Sequence, residues 1–194
     1  MDSRRMAPEL AAMPKPVTKT GSTFLNRPFA ELIADRSADL AELKVELSSA
    51  RDKLHMDDIA LVRYLCGFGS VQNSCAAIRA AAHLNTIKAD LLQSAEVAEP
   101  YPRANRIAPY SQFHLWESGD RMLFIVPVAQ TDFKQLMKVA SEEDIINYSL
   151  HTARRLWNWV DRTSRKLGRI MKYEVVCDFS GFSFRTMPPR AYVK

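Results

Sequence analysis

The chain has no long apolar run, and that absence excludes one class of protein. Among its 194 residues, no stretch of about 18 apolar residues is free of charge, so the sequence predicts no transmembrane helix. The amino-terminal segment MDSRRMAPELAAM lacks a continuous apolar core after its arginines, which argues against a secretory signal peptide. We therefore expect a cytoplasmic protein that is peripheral to membranes and meets them only at their surface.

Cysteine and histidine are few and scattered. Three cysteines and four histidines occur, and no two of them have the CxxC or HxxxH spacing that is typical of metal sites. An odd number of cysteines within apolar patterns predicts small buried side chains in a reducing compartment rather than disulfides. The cysteines are Cys66, Cys75 and Cys177. We expect neither a metal nor another cofactor.

The positive charge of the chain is concentrated in one segment. Between residues 151 and 172, five arginines and two lysines stand against Asp161 alone, a net charge of +6, whereas the whole chain carries +5. This segment is therefore the candidate for contact with an anionic surface.

The first half of the chain predicts helices. Residues 1–28 hold four of the ten prolines, which is typical of a disordered leader, and their five Lys and Arg leave organelle targeting as an alternative. Residues 29–93 show apolar side chains at steps of three and four, with Asp57 or Asp58 and then Ser70 as N-caps. We expect a small helical bundle here, followed by a linker over residues 94–109.

Residues 110–194 predict a mixed α/β domain. Two strand-like runs, 112–116 and 121–126, flank a polar break that contains glycine, which favours a hairpin. A helix follows over residues 141–167, and residues 173–177 predict a buried interior strand of a parallel sheet because few charges flank them. The predicted buried face of the helix consists of Ile146, Leu150, Ala153, Trp157, Val160, Ser164 and Leu167.

Two short motifs stand at the ends of this series of elements. Asp58–Leu65, DIALVRYL, is similar to an acidic residue followed by Leu-Leu-Arg-Phe-Leu. Val175–Ser183, VVCDFSGFS, is similar to a central strand followed by Asp-Leu-x-Gly-Leu-Ser. Both patterns are those of the CRAL-TRIO lipid-binding and lipid-transfer proteins, which include the phosphatidylinositol transfer proteins. With the hairpin and the long helix between the motifs, the chain resembles that family from about Lys53 to Ser183.

The resemblance implies both a fold and a function. It implies an N-terminal helical bundle, then the first part of a mixed sheet with covering helices, and the non-enzymatic binding or transfer of a small hydrophobic lipid. Arg63, Asp178 and Gly181 correspond to structural positions of the family's motifs. Two departures stand out: Cys66–Gly69 occupies the place where phosphoinositide-binding members carry cations, and the family's gate helix and further strands do not follow. We therefore expect an incomplete lipid pocket.

The segment Asp178-Phe179-Ser180-Gly181 allows two interpretations. An aspartate and a serine could act as base and nucleophile, but no histidine is near them in the sequence, and the Gly-x-Ser-x-Gly pattern lacks its first glycine. An Asx turn that ends the preceding strand needs no chemistry. We expect the turn, and we predict that the chain is not an enzyme.

Cations line one side of the long predicted helix. At about 100° per residue they form a narrow stripe with flanking arginines and one tryptophan. The stripe is either a solvated helix face or a surface for anionic lipid headgroups, where each cation would contribute about 1 kcal/mol. Nucleic acid is not expected, since no nucleic-acid-binding motif accompanies the cations. The residues concerned are Arg154, Arg155, Trp159, Arg162, Arg165, Lys166 and Arg169.

Two functions of different classes follow from these patterns. The first is lipid binding with docking on membranes through the basic helix; the candidates for its pocket are Phe113, Trp116, Tyr173, Val175 and Cys177. The alternative is a protein-interaction or scaffold module that has no working lipid pocket. Its partner would cover an exposed edge of the sheet.

Overall fold

The fold comes from a computed structural model. It describes residues 24, 27–48, 54, 56–94, 113–115, 122–128, 132–171 and 173–183. The predicted leader and linker lie almost wholly outside these residues. The chain divides into two compact units, one formed by residues 1–89 and 164–170, the other by residues 90–163 and 171–194. The fold is of the mixed α/β class.

Ten elements follow one another along the described chain. In the order of the sequence they are α1 (Phe29–Asp35), α2 (Ser37–Glu46), α3 (Asp58–Phe68), α4 (Val71–Ile87), α5 (Ala89–Ser94), β1 (Phe113–Leu115), β2 (Met122–Pro127), α6 (Phe133–Val139), α7 (Glu142–Leu167) and β3 (Tyr173–Asp178).

Side-chain caps and a leucine-rich core build the helical part of the first unit. The Asp57 carboxylate accepts a hydrogen bond from the Ala60 amide and begins α3, and the Ser70 hydroxyl accepts one from Asn73 and begins α4. Gly69, at φ 80°, ends α3 in the left-handed region that favours glycine. Several side chains are completely buried between α1, α2, α3 and α4: Leu32, Leu43, Leu47, Leu61, Val62, Leu65 and Ile78.

A short segment distant in sequence completes the first unit. The Phe29 amide donates a hydrogen bond of 2.9 Å to the carbonyl of Gly168, and Pro28 forms a β-bridge with Arg169. Ile170 packs against the same apolar core. The end of α7 and the residues after it therefore belong to the helical unit, an arrangement for which the sequence offers no periodic pattern.

The second unit contains a three-stranded sheet in the order β1-β2-β3. Strands β1 and β2 are antiparallel, as the predicted hairpin requires, although its turn lies outside the described residues. Strands β2 and β3 are parallel, and α6 and α7 lie in the connection between them. The Ser141 hydroxyl caps α7 by accepting a hydrogen bond from the Asp144 amide. One core cluster joins the sheet to α7 through Phe124, Leu156, Val160 and Met171.

The prediction of a buried interior strand is wrong. All six residues of β3 are exposed, and within the described sheet β3 is an edge strand. Cys177 is therefore exposed, whereas Cys66 and Cys75 are buried as predicted. Apolar side chains on both faces usually indicate a strand covered on both sides, but α7 packs over β2 and leaves β3 uncovered.

The predicted buried face of α7 is only partly correct. Val160 and Ser164 are buried, but Ala153, Trp157 and Leu167 are exposed. The buried residues that the prediction missed are Tyr148, His151, Thr152 and Leu156. The helix carries two apolar stripes, and the one centred on Leu156 faces the sheet.

Candidate functional site

The register of β2 against β3 divides the sheet of the second unit into two faces. Residues that are direct partners in a parallel pair project to the same side, and successive residues alternate. Phe124 is the partner of Val175, and since Phe124 packs under α7, this is the inner face. The opposite side, which we call the outer face, carries three partner pairs: Leu123 with Glu174, Ile125 with Val176, and Pro127 with Asp178.

The predicted pocket residues of β3 lie on the inner face. Tyr173, Val175 and Cys177 share the side of Phe124 but are exposed, because α7 does not extend over β3. Phe113 is the partner of Phe124 in the β1–β2 pair, but its side chain lies outside the described part of the structure, as does all of Trp116. The structure thus brings three of the five candidates into one row, open to solvent.

The outer face is an apolar surface that the sequence reasoning missed. Leu123 and Ile125 are half-buried, and Val176 between the two carboxylates of β3 is exposed. None of these three belongs to the core clusters found among the described residues. The alternation of apolar side chains in β2 could have indicated a second face, but only the register shows that Val176 joins it.

A tight turn ends β3. The Asp178 carboxylate accepts a hydrogen bond of 2.8 Å from the Ser180 amide. Hydrogen bonding from the Ser180 side chain, and then from this amide, lowers the pKa of Asp178. The Phe182 amide donates to the Phe179 carbonyl at 2.9 Å, and Gly181 adopts φ 79°. The rings of Phe179 and Phe182 pack edge to face. The carboxylate is thus held as an acceptor within an Asx turn.

The predicted basic stripe is divided among different environments. Arg165 is bound to Asp57 through two hydrogen bonds. Trp159 packs against the core of the second unit instead of projecting to solvent. Arg162 and Lys166 are exposed, and Arg154 and Arg155 are half-buried. Arg169 takes part in the β-bridge to Pro28.

Two other ionisable residues are buried. His151 is almost inaccessible on α7, and its desolvation, with the nearby positive charge of Arg155, lowers the pKa of its imidazole. Arg63, the arginine of the first motif, lies buried on α3 in the helical unit. Its burial agrees with a structural role.

Within the described ranges, no three His, Cys, Asp or Glu side chains stand close enough together to hold a metal ion. No helix in the described part of the chain has both the length and the apolar character needed to cross a bilayer.

Comparison with known proteins adds no family assignment. No model of a known protein family matches the chain, and no significantly similar characterised protein was found. The CRAL-TRIO resemblance therefore rests on the two motifs and on the order of the elements between them.

Proposed function

We propose that the second unit binds a hydrophobic lipid on the outer face of its sheet, in the manner of a CRAL-TRIO domain. The observation that carries this proposal is the apolar row of Leu123, Ile125 and Val176, which no core cluster of the described residues includes. An exposed apolar surface costs free energy in water, and acyl or isoprenoid chains are ligands that would cover it.

The order of elements also supports lipid binding. A helix with the DIALVRYL motif, a hairpin, the long helix α7 and the strand before Asp178 follow one another as in the family that the sequence resembles. In this proposal the inner face packs on α7 and the ligand lies on the side opposite that helix. Tyr173, Val175 and Cys177 then support the sheet rather than line the pocket.

Contact with anionic membranes belongs to the same proposal. Arg155 and Arg162 on α7 supply cations that form no ion pair with any acidic residue in the described part of the chain. Arg162 is also exposed. Cations near a leaflet contribute about 1 kcal/mol each, so these two would add about 2 kcal/mol to the binding of an anionic membrane.

Native mass spectrometry of the purified 194-residue chain tests lipid binding directly. We expect an added mass that organic extraction removes and that matches a hydrophobic small molecule. A bare chain that also takes up no lipid from vesicles would contradict the proposal.

The edge position of β3 favours a second candidate function. An exposed edge strand presents backbone donors and acceptors that a strand from a partner protein can bind, and β3 offers exposed apolar side chains on both faces. In this case the chain is an interaction module. Light scattering would show stable oligomers or a stoichiometric complex, whereas a monomer that carries lipid would contradict this alternative.

A further inference from the structure

Strand β3 forms one edge of the described sheet. It pairs with β2 on one side, and β1 lies beyond β2, so the other side of β3 is where a further strand would add. All six residues of β3 are exposed. None of them is the lysine or proline with which edge strands commonly prevent pairing. This edge is therefore open to a strand from another chain.

A second copy of β3 can pair with this edge in only two extensive registers. A two-fold axis makes the two identical strands antiparallel. Directly opposite residues then project to the same face of the sheet, so the axis passes through one residue position. One register has Val175 opposite Val175 and pairs residues 173–177. The other has Val176 opposite Val176 and pairs residues 174–178.

Charge distinguishes the two registers. With Val176 on the axis, Glu174 of each copy lies opposite Asp178 of the other, and like charges directly opposite each other destabilise a strand pair. With Val175 on the axis, Glu174 lies opposite Val176, and no acid faces an acid. Both registers leave the contacts within each chain unchanged, so they differ only in what lies opposite. The strand is therefore complementary to a copy of itself in the register centred on Val175.

We propose that β3 binds β3 of a second copy in antiparallel orientation, with Val175 opposite Val175. This inference rests on the second candidate function, in which the edge of β3 is the binding surface, and it names the partner. The exposed inner-face row then continues across the axis, with Tyr173 opposite Cys177 of the second copy. Pairing removes these uncharged side chains from water and joins two sheets of three strands into one.

Lysine substitutions at the two valines test the register. Val175→Lys sets two lysines opposite each other on the axis, whereas Val176→Lys sets each lysine opposite Glu174 of the second copy. We expect Val175→Lys to raise the Kd of the dimer, measured by analytical ultracentrifugation of the full chain, by about tenfold or more. Val176→Lys is the matched control, because it adds the same charge to the same strand, and it should change Kd by no more than about twofold. Circular dichroism checks that both variants fold.

Cysteine cross-linking provides a second measurement that does not depend on charge. Both variants carry Cys177→Ser, which removes the exposed native thiol. Val175→Cys places two thiols directly opposite each other, with Cβ atoms about 5 Å apart, whereas Val176→Cys places them on a diagonal of about 7–8 Å. A short bifunctional thiol reagent should therefore yield about fivefold more covalent dimer from Val175→Cys.

Several outcomes would overturn the inference. One is a monomeric chain, and another is a dimer that Val175→Lys weakens no more than Val176→Lys. Native mass spectrometry of the same preparation separates these failures from failure of the function. A chain found only in a stoichiometric complex with a different protein leaves β3 as an interaction surface and overturns the choice of a second copy. A monomer without any protein partner contradicts the second candidate function itself.

Discussion

Asp57 and Arg165 lie 108 residues apart in the sequence and are joined by two hydrogen bonds, from Nη1 to Oδ2 at 2.6 Å and from Nη2 to Oδ1 at 3.0 Å. The same carboxylate accepts the amide of Ala60 at the start of α3. One side chain therefore both begins a helix and fixes the end of α7 within the first unit. A bidentate arginine–carboxylate pair has a defined geometry, which suits it to hold this distant segment in place.

Replacement of Arg165 by glutamine should lower the free energy of unfolding by about 0.5–1 kcal/mol, since the pair is half-exposed and surface pairs contribute little more. Urea unfolding followed by circular dichroism measures the change. Arg162→Gln is the matched control, because Arg162 is exposed on the same helix. Equal effects of the two substitutions would show that the Asp57 contact contributes nothing to stability.

The same pair predicts a dependence of stability on pH. The hydrogen bonds from Arg165, followed in importance by the Ala60 amide among the favourable causes, lower the pKa of Asp57 in the folded chain. The contribution of ionised Asp57 to the free energy of unfolding is therefore complete above the ordinary aspartate pKa of about 3.9. It is lost as the pH falls through the lower pKa that Asp57 has in the folded chain. We expect Asp57→Asn, which keeps a capping side chain, to be less stable than the original chain at neutral pH. The two unfolding free energies should converge in acid; a constant difference would contradict the assignment.

The orientation of α7 predicts effects of different size for substitutions at two neighbouring residues. Leu156 is 7% exposed in the core of the second unit, whereas Trp157 is 40% exposed. Leu156→Ala should lower the unfolding free energy by about 2–4 kcal/mol, and Trp157→Ala by about 1 kcal/mol or less. Thermal or urea unfolding of the two variants measures both changes in the free energy of unfolding. A larger effect at Trp157 would support the helix face predicted from the sequence.

Local patterns predicted most of the helices, because their caps and periodicity depend on neighbouring residues. Ser70 and Ser141 begin helices as the sequence indicated. The buried face of α7 was harder to predict, since the helix has two apolar stripes and only the packing partner decides between them. The return of residues 164–170 to the first unit depends on contacts such as Phe29 with Gly168, which no local pattern encodes.

The candidate site was predicted only in part for a similar reason. The sequence indicated β3 and the turn at Asp178, but the side of the sheet on which each residue lies depends on the register with β2 and on the position of α7. A shift by one residue exchanges the two faces. The sequence alone therefore predicts Val175 as a pocket residue, whereas its neighbour Val176 lies on the outer face.

Membrane contact should depend on the cations of α7 that form no ion pair with an acid among the described residues. Arg162→Gln is expected to weaken sedimentation with phosphatidylserine-containing vesicles by about fivefold, which corresponds to about 1 kcal/mol for one cation. Arg165→Gln should have a smaller effect, because Asp57 already neutralises that guanidinium. Vesicles of neutral lipid serve as the control. Binding that is unchanged by Arg162→Gln would remove α7 from the proposed docking surface.

Val175 and Val176 provide the sharpest test of the outer face. They are adjacent, chemically identical and similarly exposed, at 51% and 44%, yet they project to opposite sides of the sheet. Aspartate at either position should therefore affect stability to a similar extent. Val176→Asp is expected to lower the fraction of chain that carries lipid in native mass spectrometry by about tenfold or more, because a charge would be buried beneath an apolar ligand. Val175→Asp should leave that fraction nearly unchanged. The reverse result would place the ligand on the inner face, beside Tyr173 and Cys177, and equal losses would indicate that the ligand covers the edge of β3 rather than one face.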